Sequence, residues 1–173
     1  MHKNMIEKKK FLRKTLANEE KICYNKLLIY TVIMHRRRGK YMKVTRRDAR
    51  ITAIELLFDY SFNRDSTLEE RIELALDNRE LKYNDFSEKL FKVTVEHMDE
   101  IDEKIASLAD NWSFERITNL AKCIIRMCAC EMMYLDTPVE IAINEAVEIT
   151  KLYDDQKAVS FINGVLGGIA KTL

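Results

Sequence analysis

The chain has 173 residues, which is the length of a single domain that can bury a core of ordinary size. Four glycines and one proline are too few turn-forming residues for a many-stranded sheet, and they favour helices joined by short polar loops. The net charge of +1 hides an asymmetry, because residues 1–47 contain 15 basic and 3 acidic side chains whereas the remainder contains 14 and 25. A basic segment attached to an acidic body is typical of a protein that touches a polyanion through one end.

Residues 1–41 form a basic extension with two clusters of positive charge, at residues 8–10 and 36–38. The apolar run between them, residues 27–34, is too short to cross a bilayer and too far along the chain for a usual signal peptide. Four interpretations remain open. The extension is a mis-assigned start that precedes the true one at Met42, a disordered segment, a basic arm that adds affinity for RNA or binds another partner, or an anchor on an acidic membrane surface.

Helices are expected throughout residues 42–173, because cap signatures and apolar spacing recur along this part of the chain. Thr45 precedes the first helix, with Asp48 three residues later, and Thr118 precedes the fourth. A further cap signature, Ser66-Thr67-Leu68-Glu69-Glu70, opens the second. The third is expected to be long and unbroken, with His97 interpreted as a hydrogen-bonded core residue on or beside its apolar stripe. The expected ranges are approximately 46–62, 67–76, 85–108, 119–135, 138–153 and 156–170.

Three arginines, Arg46, Arg47 and Arg50, lie in the first turn and a half of the first helix. Cations at this end oppose the helix dipole at a cost of roughly a few tenths of a kcal/mol, so a purely structural choice would favour acidic residues. A polyanion docked here would bind the free N–H groups and the guanidinium groups together. The alternative is a solvated, charged helix end.

The fourth helix carries two distinct surfaces. Lys122 and Arg126 share a polar strip and, with Lys43, are weaker candidates for a basic surface. Beyond Arg126 the helix is apolar nearly all round, so we expect a second layer of helices to cover it. The alternative is an exposed patch for a protein partner. That patch would consist of Met127, Cys130, Met133 and Tyr134.

The fifth helix is expected to begin with a capping box, in which Thr137 caps the free N–H groups, Pro138 takes the first position and Glu140 folds back. Apolar residues cover more than half of its circumference, so it is predicted to lie in the middle of the bundle. In the sixth helix Gly164 costs about 1 kcal/mol relative to alanine, and a close approach between helices is predicted there.

The sequence predicts a binding protein, without metal or cofactor, and not an enzyme. It contains no phosphate-binding loop, dinucleotide fingerprint, HExxH motif or nucleophile elbow, and no convincing pair of general acid and base. Three of the four cysteines, Cys123, Cys128 and Cys130, share one predicted helix. They are interpreted as buried thiols in a reducing compartment, because residues on one helix cannot cross-link the fold.

Four segments of the chain form an ordered set. The segments are Arg46-Arg47-Asp48-Ala49-Arg50, Trp112 with Arg116, Ile124-Ile125-Arg126 leading to Glu131, and a C-terminal half in which TPVEIAINEAVEITK and a short acidic turn precede FINGVL. In this order and spacing they resemble the NusB family of bacterial transcription antitermination factors. The resemblance covers approximately residues 42–171.

The resemblance implies an all-α fold of about seven helices, arranged as two three-helix bundles packed across one another. It implies a cytoplasmic protein that binds boxA-type single-stranded RNA together with NusE, a ribosomal protein, and joins the RNA polymerase antitermination complex. The Arg-rich helix start is implicated in RNA binding in this family, which assigns that role to Arg46, Arg47 and Arg50. Asp48 interrupts the basic run. Either it weakens phosphate contacts, as the mark of a protein–protein adaptor with only non-specific RNA binding, or it serves as the capping acid. Homodimer formation stays open.

Overall fold

The computed structural model describes residues 44–62, 67–78, 81–108 and 117–173. Within these ranges the chain forms seven α-helices and no strand, so the predicted all-α class is confirmed. No helix in the described ranges is both long and apolar enough to cross a membrane. Predictions for residues 1–41, which include Cys23, and for Lys43 fall outside these ranges. The helices are α1 (Arg46–Phe62), α2 (Leu68–Asn78), α3 (Asp85–Glu96), α4 (Met98–Leu108), α5 (Asn119–Tyr134), α6 (Val139–Tyr153) and α7 (Gln156–Ala170).

Three helix starts form as their sequence signals predict. At α1 the Thr45 hydroxyl accepts a hydrogen bond from the Asp48 N–H at 3.0 Å, and an Asp48 carboxylate oxygen accepts one from the Thr45 N–H at 3.1 Å. Thr67 and Glu70 form the same reciprocal box at α2, and the Thr118 side chain caps α5. These bonds satisfy N–H groups that have no partner within the helix, and so they fix where each helix begins.

The predicted long third helix is interrupted at one residue, His97, which separates α3 from α4. Its φ and ψ of −103° and 18° depart from helical values. Its ring stacks on the ring of Tyr134, with centroids 3.8 Å apart, and its side chain is 32% exposed. The predictions of an unbroken helix and of a core histidine are therefore wrong, because this ring packs at the end of α5 and not inside the core.

The central helix of the described fold is α5, in which every side chain from Cys123 to Met132 is buried. Helices α1, α3 and α5 pack against one another, and so do α5, α6 and α7. The two three-helix groups therefore share α5, while α2 lies against α1, and α4 lies against α5 and α7. A helix that is apolar on nearly all sides needs neighbours on nearly all sides, which α5 has.

The position of α6 differs from the prediction, because this helix does not lie in the middle of the bundle. Ile141 and Leu152 are 53% and 38% exposed. The helix buries one stripe, through Ala142, Ala146 and Ile149, against α5 and α7. Because alanine lets neighbouring helices approach closely, this narrow stripe supplies the contact and the flanking apolar side chains stay at the surface.

The start of α6 also differs from the predicted capping box. Pro138 occupies the cap position, where no side chain forms a capping hydrogen bond. The Thr137 hydroxyl donates to a Glu131 carboxylate oxygen at 3.2 Å, and the Thr137 N–H donates to the Glu131 carbonyl at 3.2 Å. Thr137 therefore ties the α5–α6 turn back to α5 and does not cap α6.

The close helix approach predicted at Gly164 occurs at Gly168. A Cβ atom placed on Gly164 would have no neighbour within 4 Å, whereas one on Gly168 would lie 3.4 Å from Leu108 Cδ1. The glycine that accommodates a neighbouring helix, α4, is therefore near the end of α7, and Gly164 lies on an exposed part of the helix.

Candidate nucleic-acid interface

An open groove of about 670 Å³ lies between the start of α1, the α5–α6 turn and the first turns of α6. The residues that α1 contributes are mainly basic, and those from the turn include apolar side chains. In the turn Asp136 has a φ of 50°, a left-handed conformation that aspartate adopts more readily than most residues. The groove is lined by Thr45, Arg46, Arg47, Arg50, Leu135, Asp136, Thr137, Pro138, Ile141 and Glu145.

Arg46 is exposed at the start of α1 and lies over an aromatic ring. Its guanidinium carbon is 3.9 Å from the centroid of the Phe86 ring, which α3 carries in its first turn. A guanidinium stacked by its face keeps its N–H edge available to an anion. The Phe86 ring therefore holds a positive charge at the groove while leaving its hydrogen-bonding edge accessible.

Arg47 forms a bidentate pair with Glu145 of α6 across the groove. Its Nε and Nη2 atoms donate to the two carboxylate oxygens at 2.9 and 2.7 Å. The side chains are 45% and 17% exposed, so this pair lies at the surface. The hydrogen bond from Arg47 lowers the pKa of Glu145, and the same bond raises the pKa of Arg47. In the free protein a carboxylate thus occupies the guanidinium fork in the geometry that a phosphate would use.

Arg50 is 4% exposed and forms a second bidentate pair inside the protein. Its Nε and Nη2 atoms donate to Glu131 of α5 at 2.7 and 2.9 Å, and Glu131 has no exposed surface. Bidentate contact between this fork of Arg50 and a phosphate would require the buried pair to break, at a high cost. The predicted role of Arg50 in contacting RNA stays a prediction, and its burial favours a role in supporting the groove from within.

Asp48, the acid that interrupts the basic run, is held by neighbours and is not a free negative charge in the groove. Its carboxylate accepts hydrogen bonds from the Thr45 hydroxyl at 2.8 Å and from Lys82 Nζ at 2.6 Å. Burial raises the pKa of Asp48, but the bonds from Lys82 and Thr45 together outweigh that effect and lower it. Of its two interpretations, the structure supports the capping acid.

Lys122 and Arg126 do not join the α1 arginines. Lys122 is in the first turn of α5, whereas the groove lies beyond the other end of that helix, ~20 Å further along at 1.5 Å per residue. The Nε and Nη2 atoms of Arg126 donate to Asp102 of α4, both at 2.6 Å. Burial lowers the pKa of Arg126, but the bonds to Asp102 outweigh it and raise that pKa. The predicted RNA contacts of these two residues stay predictions.

The four residues of the predicted partner patch divide into two pairs. Met127 and Cys130 have no exposed surface, because the helices around α5 cover them. These two side chains therefore do not belong to an exposed patch. Their burial agrees with the other expectation, a second layer of helices that covers this part of α5. Met133 and Tyr134 are half-buried near the end of α5 and keep part of their surface available to a partner.

The described cysteines are buried, unpaired thiols, as the sequence predicts. Burial raises the pKa of Cys123 to about 12 and that of Cys130 to about 11, and it also raises the pKa of Cys128. Within the described ranges, no group of three or more His, Cys, Asp or Glu side chains is arranged to hold a metal ion.

Comparison with known proteins places the chain in a family. The model of the NusB family matches residues 47–171. The chain belongs to the NusB family. The transcription antitermination protein NusB of Bacillus subtilis (strain 168) is 42% identical over 125 residues, which cover 72% of this chain and 93% of that protein. The NusB protein of Clostridium botulinum (strain Alaska E43 / Type E3) is 40% identical over 133 residues, which cover 74% and 99%.

Solved structures of NusB proteins share the fold. NusB of T. maritima superposes with a TM-score of 0.65 and 30% identity, covering 75% of this chain and 93% of that one. A complex of the antitermination factors NusB and NusE with dsRNA gives a TM-score of 0.65 and 27% identity, covering 74% and 97%. The region that matches the NusB family includes α6 and all of α1 except its first residue, Arg46.

Sequence reasoning found the α1 arginines of this NusB-family chain but missed the side chains that hold them. Phe86 and Glu145 carry no local sign of this role, because an aromatic residue and an acid at helical spacing are typical of an ordinary helix. Glu131 gave a signal that could have been used, since an acid within an apolar half of a helix needs a buried partner. The identity of that partner, Arg50, had no local signal, because it lies 81 positions earlier in the chain.

Proposed function

We propose that the chain is a transcription antitermination factor that binds boxA-type RNA together with NusE and joins elongating RNA polymerase, notably in ribosomal RNA operons. Support comes from its membership of the NusB family, from relatives named transcription antitermination proteins, and from the related complex of NusB, NusE and dsRNA. In this proposal the chain acts in the bacterial cytoplasm as a binding protein and not as an enzyme.

The observation that carries the proposed RNA site is the groove at the start of α1, where Arg46 and Arg47 reach solvent. Guanidinium forks and helix N-termini both bind phosphate oxygens, so this end of α1 can fix an RNA backbone. Such contacts position a strand without reading its sequence. The proposed contact residues are therefore Arg46 and Arg47, with Arg50 holding α1 in place.

Sequence preference is proposed to arise on the other side of the groove. Leu135, Pro138 and Ile141 present apolar surface there, and Ile141 is 53% exposed. Single-stranded RNA can turn unstacked bases outward onto protein side chains, which duplex RNA cannot do. In the proposed complex the phosphates follow α1, and at least one base faces the α5–α6 turn.

The experiment that tests this function is a fluorescence-anisotropy titration with a boxA-like RNA and a scrambled control, each with and without NusE. The full chain is compared with the double variant Arg46→Ala/Arg47→Ala, which should bind RNA more weakly. Its plot of log K against log salt should be shallower by up to about 0.7 per lost phosphate contact. Lys171→Ala is the control, because it removes one exposed cation at the end of α7, outside the groove.

Tighter binding of the boxA-like RNA than of the scrambled RNA, with higher affinity when NusE is present, would support the proposed function. Equal binding of both RNAs together with tight NusE binding would favour the alternative, a helical protein–protein adaptor with only non-specific RNA affinity. A salt slope that is the same in the double variant and the full chain would remove Arg46 and Arg47 from the RNA site.

A further inference from the structure

Glu145 occupies the hydrogen-bonding fork that a phosphate would need. Its two carboxylate oxygens accept from Arg47 Nε and Nη2 at 2.9 and 2.7 Å, and a phosphate binds arginine through the same two N–H groups. Arg47 is 45% exposed, so an incoming RNA strand can reach the pair from the groove. The carboxylate and the phosphate cannot both occupy the fork.

We infer that Glu145 is an internal competitor for the RNA phosphate, and that RNA binding exchanges the Arg47–Glu145 pair for an Arg47–phosphate pair. This inference rests on the proposed RNA-binding function and adds a residue that sets its affinity. Only molecules whose Arg47 fork is open bind the phosphate there. The apparent dissociation constant is therefore the intrinsic one divided by the fraction of open molecules.

The surroundings of the two arginine pairs explain why only one of them exchanges. The Arg50–Glu131 pair is almost fully buried, so opening it would leave charges without partners in a dry site. The Arg47–Glu145 pair is at the surface, where such pairs are weak and open readily. After exchange Arg50 Nη1, which already lies 3.6 Å from Glu145 Oε2, offsets only part of the charge on Glu145.

The exchange has a consequence for the salt dependence of RNA binding. The displaced carboxylate stays in the groove beside the incoming phosphate, where it retains a cation from solution. The slope of log K against log salt measures the net release of ions. The contact between Arg47 and the phosphate should therefore add less to this slope in the native chain than in a chain without the carboxylate. Glu145 therefore lowers both the affinity and the steepness of the salt dependence.

The test is Glu145→Gln, which keeps the shape of the side chain and removes its charge. This variant should bind boxA-like RNA about two- to five-fold more tightly than the native chain, the range expected for release of a surface ion pair. Its salt slope should be steeper by up to about 0.7, the value of one phosphate contact on a single strand, because no carboxylate retains a cation in the groove.

The matched control is Glu148→Gln, three residues further along α6. Glu148 carries the same charge and pairs with Lys151. The hydrogen bond that raises the pKa of Arg47 is the one to Glu145 and not to Glu148, whose charge only adds to that rise. Its substitution reports the general effect of one less negative charge on this surface. Circular dichroism checks that each variant keeps its helicity, and Glu145→Ala replaces Glu145→Gln if the latter does not fold.

A double variant separates the inference from the function on which it rests. In an Arg47→Ala background, Glu145→Gln should give no more gain than Glu148→Gln, since no fork remains to be released. Weaker RNA binding by Glu145→Gln alone, or a gain that persists without Arg47, would overturn the inference and leave the RNA site in place. Unchanged RNA binding in Arg46→Ala/Arg47→Ala would instead remove the site itself.

Discussion

Arg47 and Arg50 lie three residues apart on α1, and each forms a bidentate pair with a glutamate from another helix. The pairs differ in burial, and burial decides what each can do. An exposed ion pair contributes about 0.2–1 kcal/mol, so a ligand can displace it. Removing one partner of a buried pair costs about 3–5 kcal/mol, because the other charge is then left without compensation. Arg47 is therefore suited to bind RNA, and Arg50 to hold α1 against α5.

Glu131→Ala should lower the free energy of unfolding by about 3 kcal/mol, measured by urea denaturation. The low end of the range of about 3–5 kcal/mol is expected because Glu145, which lies 3.6 Å from Arg50, still neutralises part of the Arg50 charge. Replacing both partners, as in Arg50→Met/Glu131→Leu, should cost much less, since no buried charge remains. If this double variant is as unstable as Glu131→Ala, the cost does not come from an unpaired charge.

On the scale of single elements, α7 offers a direct test of what a glycine contributes. Gly164→Ala should raise the free energy of unfolding by up to about 1 kcal/mol, because alanine favours the helix and its Cβ would meet nothing within 4 Å. Gly168→Ala is the matched variant and should gain less, since its Cβ would lie 3.4 Å from Leu108 and near the helix end. Thermal unfolding measures both. A loss of stability in Gly164→Ala would mean that another surface packs on this side of α7.

The bounds of α1 and α7, Arg46–Phe62 and Gln156–Ala170, could be predicted because caps and apolar spacing are local signals. The errors concern contacts between distant elements. The helix breaks at His97, where the His97 ring stacks on a ring from α5. Thr137 was expected to cap α6, but its hydroxyl binds Glu131 of α5 instead. The candidate site follows the same rule. Arginines at a helix start are a local anomaly, whereas the glutamates that hold them lie 81 and 98 positions away.

At the scale of the whole molecule, α5 belongs to both three-helix groups, so neither group keeps its core without it. The groove depends on the same arrangement, because α1 comes from one group, α6 comes from the other, and the turn between them follows α5. The proposed RNA site is therefore complete only when both groups are assembled. A shared central helix also predicts that the described fold unfolds in one cooperative transition.

The thiols along α5 can test this cooperativity in a Cys23→Ser variant. In the native protein Cys123, Cys128 and Cys130 should not react with iodoacetamide at pH 8, because they are buried and their raised pKa leaves almost no thiolate. With rising urea, all three should become reactive at one midpoint, equal to the midpoint at which circular dichroism records the loss of helix. Mass spectrometry of the alkylated peptides follows each thiol separately. Reaction of Cys123 at a lower urea concentration than Cys128 would show that the two ends of α5 open independently, and that this helix does not couple the two groups.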